Sequence, residues 1–145
     1  AASDVYKRQV QVPMNLDAEF VVWVPPFTTS TNESRRRIGD TLPLADAVFN
    51  IGHTALLVAA IAAGDTSVLR EAVRDRIHQD VRFALAPACR SALEAGLAAG
   101  ALCGWLSGSG PTVAFACEPG TARSVADALP DHAEYPPGTG RYSNG

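Results

Sequence analysis

The sequence predicts an α+β fold, a small sheet with helices packed on it. Three observations predict it. Three short runs of apolar, β-branched and aromatic residues read as strands, at 20–24, 102–106 and 112–117. Four stretches of helical character separate the first run from the second. One more helix follows the third run. That order lacks the regular strand–helix alternation of a parallel sheet.

The first strand, FVVWV, is stopped by Pro25 and Pro26, and its unbroken apolar run predicts burial on both faces. Ser30-x-x-Glu33 then fits a capping box, so a short helix is expected from Thr31 to Ile38, ended by Gly39. Pro43 suits a first helical turn and opens the longest helix, to Ala63, before Gly64. Its middle is apolar nearly all round, which predicts a buried central helix. A third helix is expected over 66–78. Val68, Leu69, Ala72, Val73 and Ile77 form its apolar stripe, and Arg70, Glu71, Arg74, Asp75 and Arg76 its wet face. Residues 79–87 show no period. Pro87 opens a fourth helix to Ala99, stopped by Gly100, and the last helix is expected over 121–129. The two later strands flank Ser107-Gly108-Ser109-Gly110-Pro111.

At 145 residues the chain is one domain of ordinary size or a piece of something larger. The ordered domain is expected over 10–130. Residues 1–9, AASDVYKRQ, read as a non-native or disordered terminus, and the Pro- and Gly-rich residues 131–145 as a disordered tail. Lys and Arg number 12 against 15 Asp and Glu, a net charge of −3. That argues against a nucleic-acid surface, which is normally basic. The longest apolar run, 55–63, falls short of the roughly 18 residues of a membrane span. Cys89, Cys103 and Cys117 are widely spaced and read as buried small residues in a reducing compartment. His53, His78 and His132 lie far apart, so no metal site is expected.

Three places could carry chemistry. Arg35, Arg36 and Arg37 sit where cations oppose the helix dipole. Either their long side chains reach back into water, or one meets a substrate anion. Arg35 lies four residues after Thr31, so a guanidinium and a hydroxyl share one face. The second place is DRIHQDVR, residues 75–82, where His78 and Arg82 fall at a helix end and in the following loop. That is either a common seat for function or cations complementing a helix C-terminus. The third is SGSGP, whose small residues let backbone approach a ligand, or simply make a tight connection between strands. It is neither a Walker-type phosphate loop nor a dinucleotide fingerprint. No catalytic triad or paired carboxylate stands out, so no catalytic residue is assigned within the chain.

Taken together, VVWVPPFTTSTNESRRRI, LPLADAVFNIGHTALLVAAIAAGD, DRIHQDVRFALAP and GWLSGSGPTVAFAC resemble the bacterial homoserine kinases, members of the GHMP small-molecule kinase superfamily. The resemblance runs from about residue 20 to 129. SGSGPT alone indicates the superfamily; LADAVFN together with DRIHQDVR makes the match specific. It implies the ferredoxin-like C-terminal domain of GHMP kinases, with a small antiparallel sheet. It also implies ATP-dependent phosphorylation of the L-homoserine hydroxyl on the route to threonine, in the cytoplasm, with ATP and Mg²⁺ as cofactors of the complete enzyme. Thr31, Arg35 and Arg82 look like substrate-binding residues. Ser107, Gly108, Ser109 and Gly110 look like the glycine-rich loop that supports the phosphate-binding loop. Two arginines suit a substrate carboxylate, because each offers a planar fork of donors.

The family's own phosphate-binding loop, Pro-x-x-x-Gly-Leu-Gly-Ser-Ser, does not occur in these residues, nor does the N-terminal domain that carries it with the nucleotide pocket. The chain is therefore expected to correspond to the C-terminal part, to bind no ATP or Mg²⁺ alone, and to need the N-terminal kinase domain as partner. No last strand is evident after Leu129, and a homodimer is left open. Two alternatives stand beside this: another GHMP kinase such as cytidyl-methylerythritol kinase, which shares PPF-x-x-ST and SGSGPT but not DAVFN or HQ-x-x-R, and a non-catalytic amino-acid-binding domain.

Overall fold

The fold is built on three antiparallel strands: β1 (Glu19–Trp23), β2 (Cys103–Leu106) and β3 (Val113–Cys117), in the order β1-β3-β2. The computed structural model describes residues 10–28 and 36–130. The helices are α1 (Leu44–Ala63), α2 (Leu69–Ala72), α3 (Gln79–Leu85), α4 (Pro87–Ala98) and α5 (Ala122–Asp127). Residues 36–38 are also helical. The Ser30–Glu33 cap, Thr31 and Arg35 lie outside the described residues, as do both expected disordered ends.

β3 is central, and all five of its residues are buried. Alternation along the strand divides them between two layers. Val113, Phe115 and Cys117 face α4 and α5, with Val21, Trp23, Cys89, Ala92 and Val125. Ala116 faces α1 and α2, with Ala60, Leu69 and Cys103. The small Ala114 and Ala116 let the second layer approach, while Phe115 fills the first. Val21 and Gly104 are its partners across the sheet. Cys89, Cys103 and Cys117 are free and buried, as their spacing suggested. Burial pushes all three thiols up, that of Cys103 to about 11, so they stay neutral.

Helix punctuation works as the sequence implies. Gly64 adopts φ 72° and its amide bonds Ala60 O, a left-handed stop to α1. Two expectations fail on burial. β1 covers one face only: Val21 and Trp23 are buried, but Phe20 is 48% exposed, because β1 is an edge strand whose second face is incompletely covered. α1 is not a buried central helix. Only Ala60 is buried in it, and Leu44, Val48, Ile51 and Val58 are all exposed. It lies on the outside of the second layer, so one stripe meets the sheet and α2 while the opposite stripe is uncovered. With 20 residues and a mean hydropathy of 1.6, α1 is long and apolar enough to cross a membrane by length and composition. Yet its Asn50 and His53 bond Asp75 and Glu71 of the neighbouring segment.

The expected helix over 66–78 is also corrected. Helix persists only over α2, and α3 begins in the stretch where no period was seen. The Asp75 carboxylate interrupts the ladder by taking backbone amides for itself, a known competition with helix. That also removes Asp75 from the wet face, its side chain being 6% exposed. Arg70 stays exposed as the stripe predicts, and its guanidinium donates to Ala101 O and Leu102 O.

Phe115 reaches its depth because Gly96 on α4 and Gly104 on β2 have no side chain. A Cβ on Gly104 would lie 2.7 Å from both Phe115 Cδ1 and Leu93 Cδ1, and one on Gly96 would overlap the same ring. Gly104→Ala and Gly96→Ala are each expected to destabilise the fold by about 1–3 kcal/mol through overpacking. Urea unfolding of the two variants checks this, with Gly52→Ala, whose Cβ meets open space in the middle of α1, as a comparison expected to gain about 0.5–1 kcal/mol.

Candidate functional site

The site grows from one acidic residue. Asp75 Oδ2 accepts the amides of Ile77, His78 and Gln79 at 3.1, 2.7 and 2.7 Å. Its Oδ1 accepts Asn50 Nδ2 at 2.6 Å, and Asn50 Oδ1 accepts the Arg76 amide at 3.0 Å. These bonds reverse the chain and start α3. They also clamp LADAVFN to DRIHQDVR, so the two motifs form one assembly. Burial by itself pushes the Asp75 carboxyl up. The Gln79 amide, the Asn50 side chain and the His78 amide outweigh it, and the carboxyl ends below its usual value.

α3 then projects two side chains toward the glycine-rich loop. Gln79 Nε2 donates to Val73 O at 3.1 Å, and its Oε1 accepts the Leu106 amide at 2.8 Å. Arg82 Nη1 donates to Gly108 O at 2.7 Å and lies 3.1 Å from His78 Nδ1. Arg82 therefore stands on a helix rather than in a loop after one. Burial holds the His78 imidazole below its usual value; Asp75 pulls it up and Arg82 pushes it down. A neutral ring matches the geometry, since Nδ1 can then accept from Arg82. Arg82 Nε is buried without a hydrogen-bond partner among the described residues.

The loop has its own frame. Ser107 N donates to Thr112 O at 2.8 Å, and Gly110 N to Ser107 O at 3.0 Å. Gly108 and Gly110 take φ of 56° and 75°, a region that other residues rarely adopt. The Gly110–Pro111 peptide is cis, and Cys89 Sγ lies 3.1 Å from Pro111 O. The structure thus brings Arg82 together with Ser107, Gly108, Ser109 and Gly110. Thr31 and Arg35 lie outside the described residues; Arg36 and Arg37 are exposed. Sequence reasoning missed Asn50, Asp75 and Gln79 as a unit; the available signal was Asp75 itself, since Asp side chains commonly take the amides of the residues just after them.

A cavity of about 370 Å³ opens between α1 and the second face of the sheet. Asn50, Asp75, His78 and Gln79 form its polar side, and Leu57 and Trp105 part of its apolar side. Arg82 and the loop do not line it. Among the described residues no group of three or more His, Cys, Asp or Glu could hold a metal ion.

Residues 57–134, more than half of the chain, match the family described as GHMP kinases C terminal. The chain belongs to that family. Proteins named homoserine kinase are similar to it at 38% identity over 120 residues in Thermus thermophilus and 42% over 110 in Moorella thermoacetica. These alignments cover 83% and 76% of this chain but 41% and 36% of those proteins. The chain thus spans about two-fifths of the length of the curated relatives it matches. The crystal structure of a homoserine kinase from Cytophaga hutchinsonii superposes with a TM-score of 0.76 at 28% identity, over 82% of this chain and 38% of that one. A phosphomevalonate kinase of Streptococcus pneumoniae, in complex with phosphomevalonate and AMPPNP, gives 0.64 at 15% identity over 88% and 42%. At that identity the likeness shows the fold alone. The α+β GHMP C-terminal fold, with its antiparallel three-stranded sheet, is thereby established.

Asp75 and His78 both link stability to pH. Asp75 titrates lower in the folded state than in the unfolded chain, so its contribution is present above about pH 4 and lost as pH falls through the folded value. His78 is also held low, so the unfolded chain takes up its proton first, and stability declines below about pH 6.5. Asp75→Asn is expected to lower stability at pH 7 by about 1–3 kcal/mol, because three backbone amides lose a charged acceptor. It should also flatten the acid limb below pH 4. Urea titrations between pH 3 and 7 check both; an acid limb as steep as the parent's would refute the assignment.

Proposed function

We propose that this chain is the C-terminal, substrate-holding part of a homoserine kinase. The complete enzyme would transfer the γ-phosphoryl group of ATP to the side-chain hydroxyl of L-homoserine, in the cytoplasm, on the route to threonine. The observation that carries this reading is Arg82. One nitrogen of its guanidinium is fixed on the glycine-rich loop, and its Nε is buried with no acceptor among the described residues. A buried donor of this kind suits an anionic group such as the substrate carboxylate. The names of the relatives and the pairing of LADAVFN with DRIHQDVR support homoserine as the amino acid.

In this reading Thr31 and Arg35 meet the substrate alongside Arg82. Ser107, Gly108, Ser109 and Gly110 support the phosphate-binding loop of an N-terminal domain. The described residues offer no group of three or more His, Cys, Asp or Glu that could hold a metal ion, and in this reading ATP, Mg²⁺ and the reacting groups belong to that other domain. Phosphoryl transfer depends largely on positioning and electrostatic stabilisation, and this chain supplies the positioning of the alcohol. The uncovered stripe of α1, with Leu44, Val48 and Ile51, is the surface such a domain would cover.

The 145-residue chain alone is expected to show no saturable micromolar binding of Mg-ATP in isothermal titration. In the full-length enzyme, Arg35→Ala and Arg82→Ala are each expected to reduce kcat/KM for homoserine by about 2–5 kcal/mol of transition-state binding, leaving KM for ATP near the parent value. Arg36→Ala should stay within about 0.5 kcal/mol, and Arg35→Lys should not restore the loss, since a point charge does not replace a fork. Steady-state kinetics with both substrates varied decides this. A silent Arg82→Ala would return DRIHQDVR to a structural role, and a full-length protein inert toward homoserine would overturn the substrate.

A further inference from the structure

We propose that Gln79 is a positioning residue for the glycine-rich loop, holding Ser107–Gly110 in register with Arg82; this rests on the kinase reading above. Among the described residues β2 pairs with β3 and with no other strand. The amide of Leu106, its last residue before the loop, donates to Gln79 Oε1 at 2.8 Å instead of to another strand. The same side chain donates to Val73 O at 3.1 Å, and its own backbone amide lies in the Asp75 nest at 2.7 Å. Gln79 is thus tied at three points, to the end of the α2 segment, to the start of α3 and to the entry of the loop.

Arg82 stands three residues further along the same helix and holds Gly108 O. One rigid turn of helix therefore grips the loop on both sides of Ser107. Because Arg82 and Gln79 share that turn, the spacing between the loop backbone and the remaining guanidinium donors is fixed within α3. The residue type follows from the chemistry. The position needs a donor and an acceptor on one planar group. A carboxylate has no donor, and Asn would place its amide one carbon short.

Full-length enzyme carrying Gln79→Ala and Gln79→Glu tests this, with the exposed Arg123→Ala as control. Gln79→Ala is expected to lower kcat by about tenfold to a hundredfold, the scale of a loop displaced by about 1 Å, with KM for homoserine within about threefold because Arg82 is retained. Gln79→Glu should be as slow at neutral pH, where its carboxylate faces Val73 O. It should regain rate relative to the parent as pH falls, because a protonated carboxyl again offers one donor and one acceptor. That added limb belongs to the hydrogen-bond pair, and a mere packing role would not produce it. A parental kcat in Gln79→Ala, or a Gln79→Glu profile parallel to the parent's, overturns the proposal.

Amide exchange in the 145-residue chain separates this from failure of the kinase reading. Gln79→Ala should speed exchange at the Leu106 and Ser107 amides by about fivefold or more, the scale of one lost hydrogen bond, while Val113 and Phe115 stay near the parent rate. Unchanged exchange at Leu106 sinks the brace even if the enzyme phosphorylates homoserine. A full-length parent inert toward homoserine sinks the substrate, and the exchange data still decide the brace.

Discussion

A single carboxylate organises the functional half of the molecule. Asp75 accepts three successive backbone amides and one side-chain amide while almost wholly buried. Such charge-assisted bonds are stronger than neutral ones, and in a protected site each amide left without its acceptor would be costly. The direction of α3, the anchoring of α1 through Asn50 and the placing of Gln79 and Arg82 all follow from that one turn. The link between these two distant sequence motifs thereby acquires a physical cause. Asn50 donates to the Asp75 carboxylate and accepts the Arg76 amide, so one side chain of the first motif is bonded twice to the second.

The strands and the long helices were legible to within a residue or two, because their signals are local. Pro25 and Pro26 end β1, Pro87 opens α4, and Gly64 supplies a left-handed stop. The glycine-rich loop was legible for the same reason. The region between α2 and α3 was not. An apolar stripe at 68, 69, 72, 73 and 77 reads as one helix, and periodicity cannot register a side chain that takes the backbone's own donors. Burial was legible only where a neighbour was implied. The composition of α1 is that of a core helix, but composition does not say whether a second surface exists to cover Leu44, Val48 and Ile51. Of the site, Arg82 and the loop were visible as motifs. Their bond to each other, and the part of Gln79 in it, depended on a helix that the sequence pattern did not show.

The two faces of the sheet are unequally finished. Toward α4 and α5, Phe115 is seated against Gly96 and Gly104, and the layer is dense. Toward α1, a cavity remains beside Trp105 and Leu57, and the outer stripe of the helix is bare. Protein interiors tolerate few voids.

The strand order carries a consequence for how the chain reaches this state. β3 lies between β1 and β2, so Val21 must find Phe115 from the opposite end of the described sequence. Of the three described strands, synthesis delivers β1 first and its partner β3 last. Until then β1 has no ladder, and the apolar residues of α1 have no sheet beneath them. Pairings of such long sequence separation slow folding, since loop closure precedes any gain from contact. The β2–β3 hairpin joins strands close in sequence, so it is expected to form before β1 pairs with it. The interval before that hairpin leaves the ribosome is when the chain is most exposed to aggregation, and its length is set by where β3 falls in the sequence.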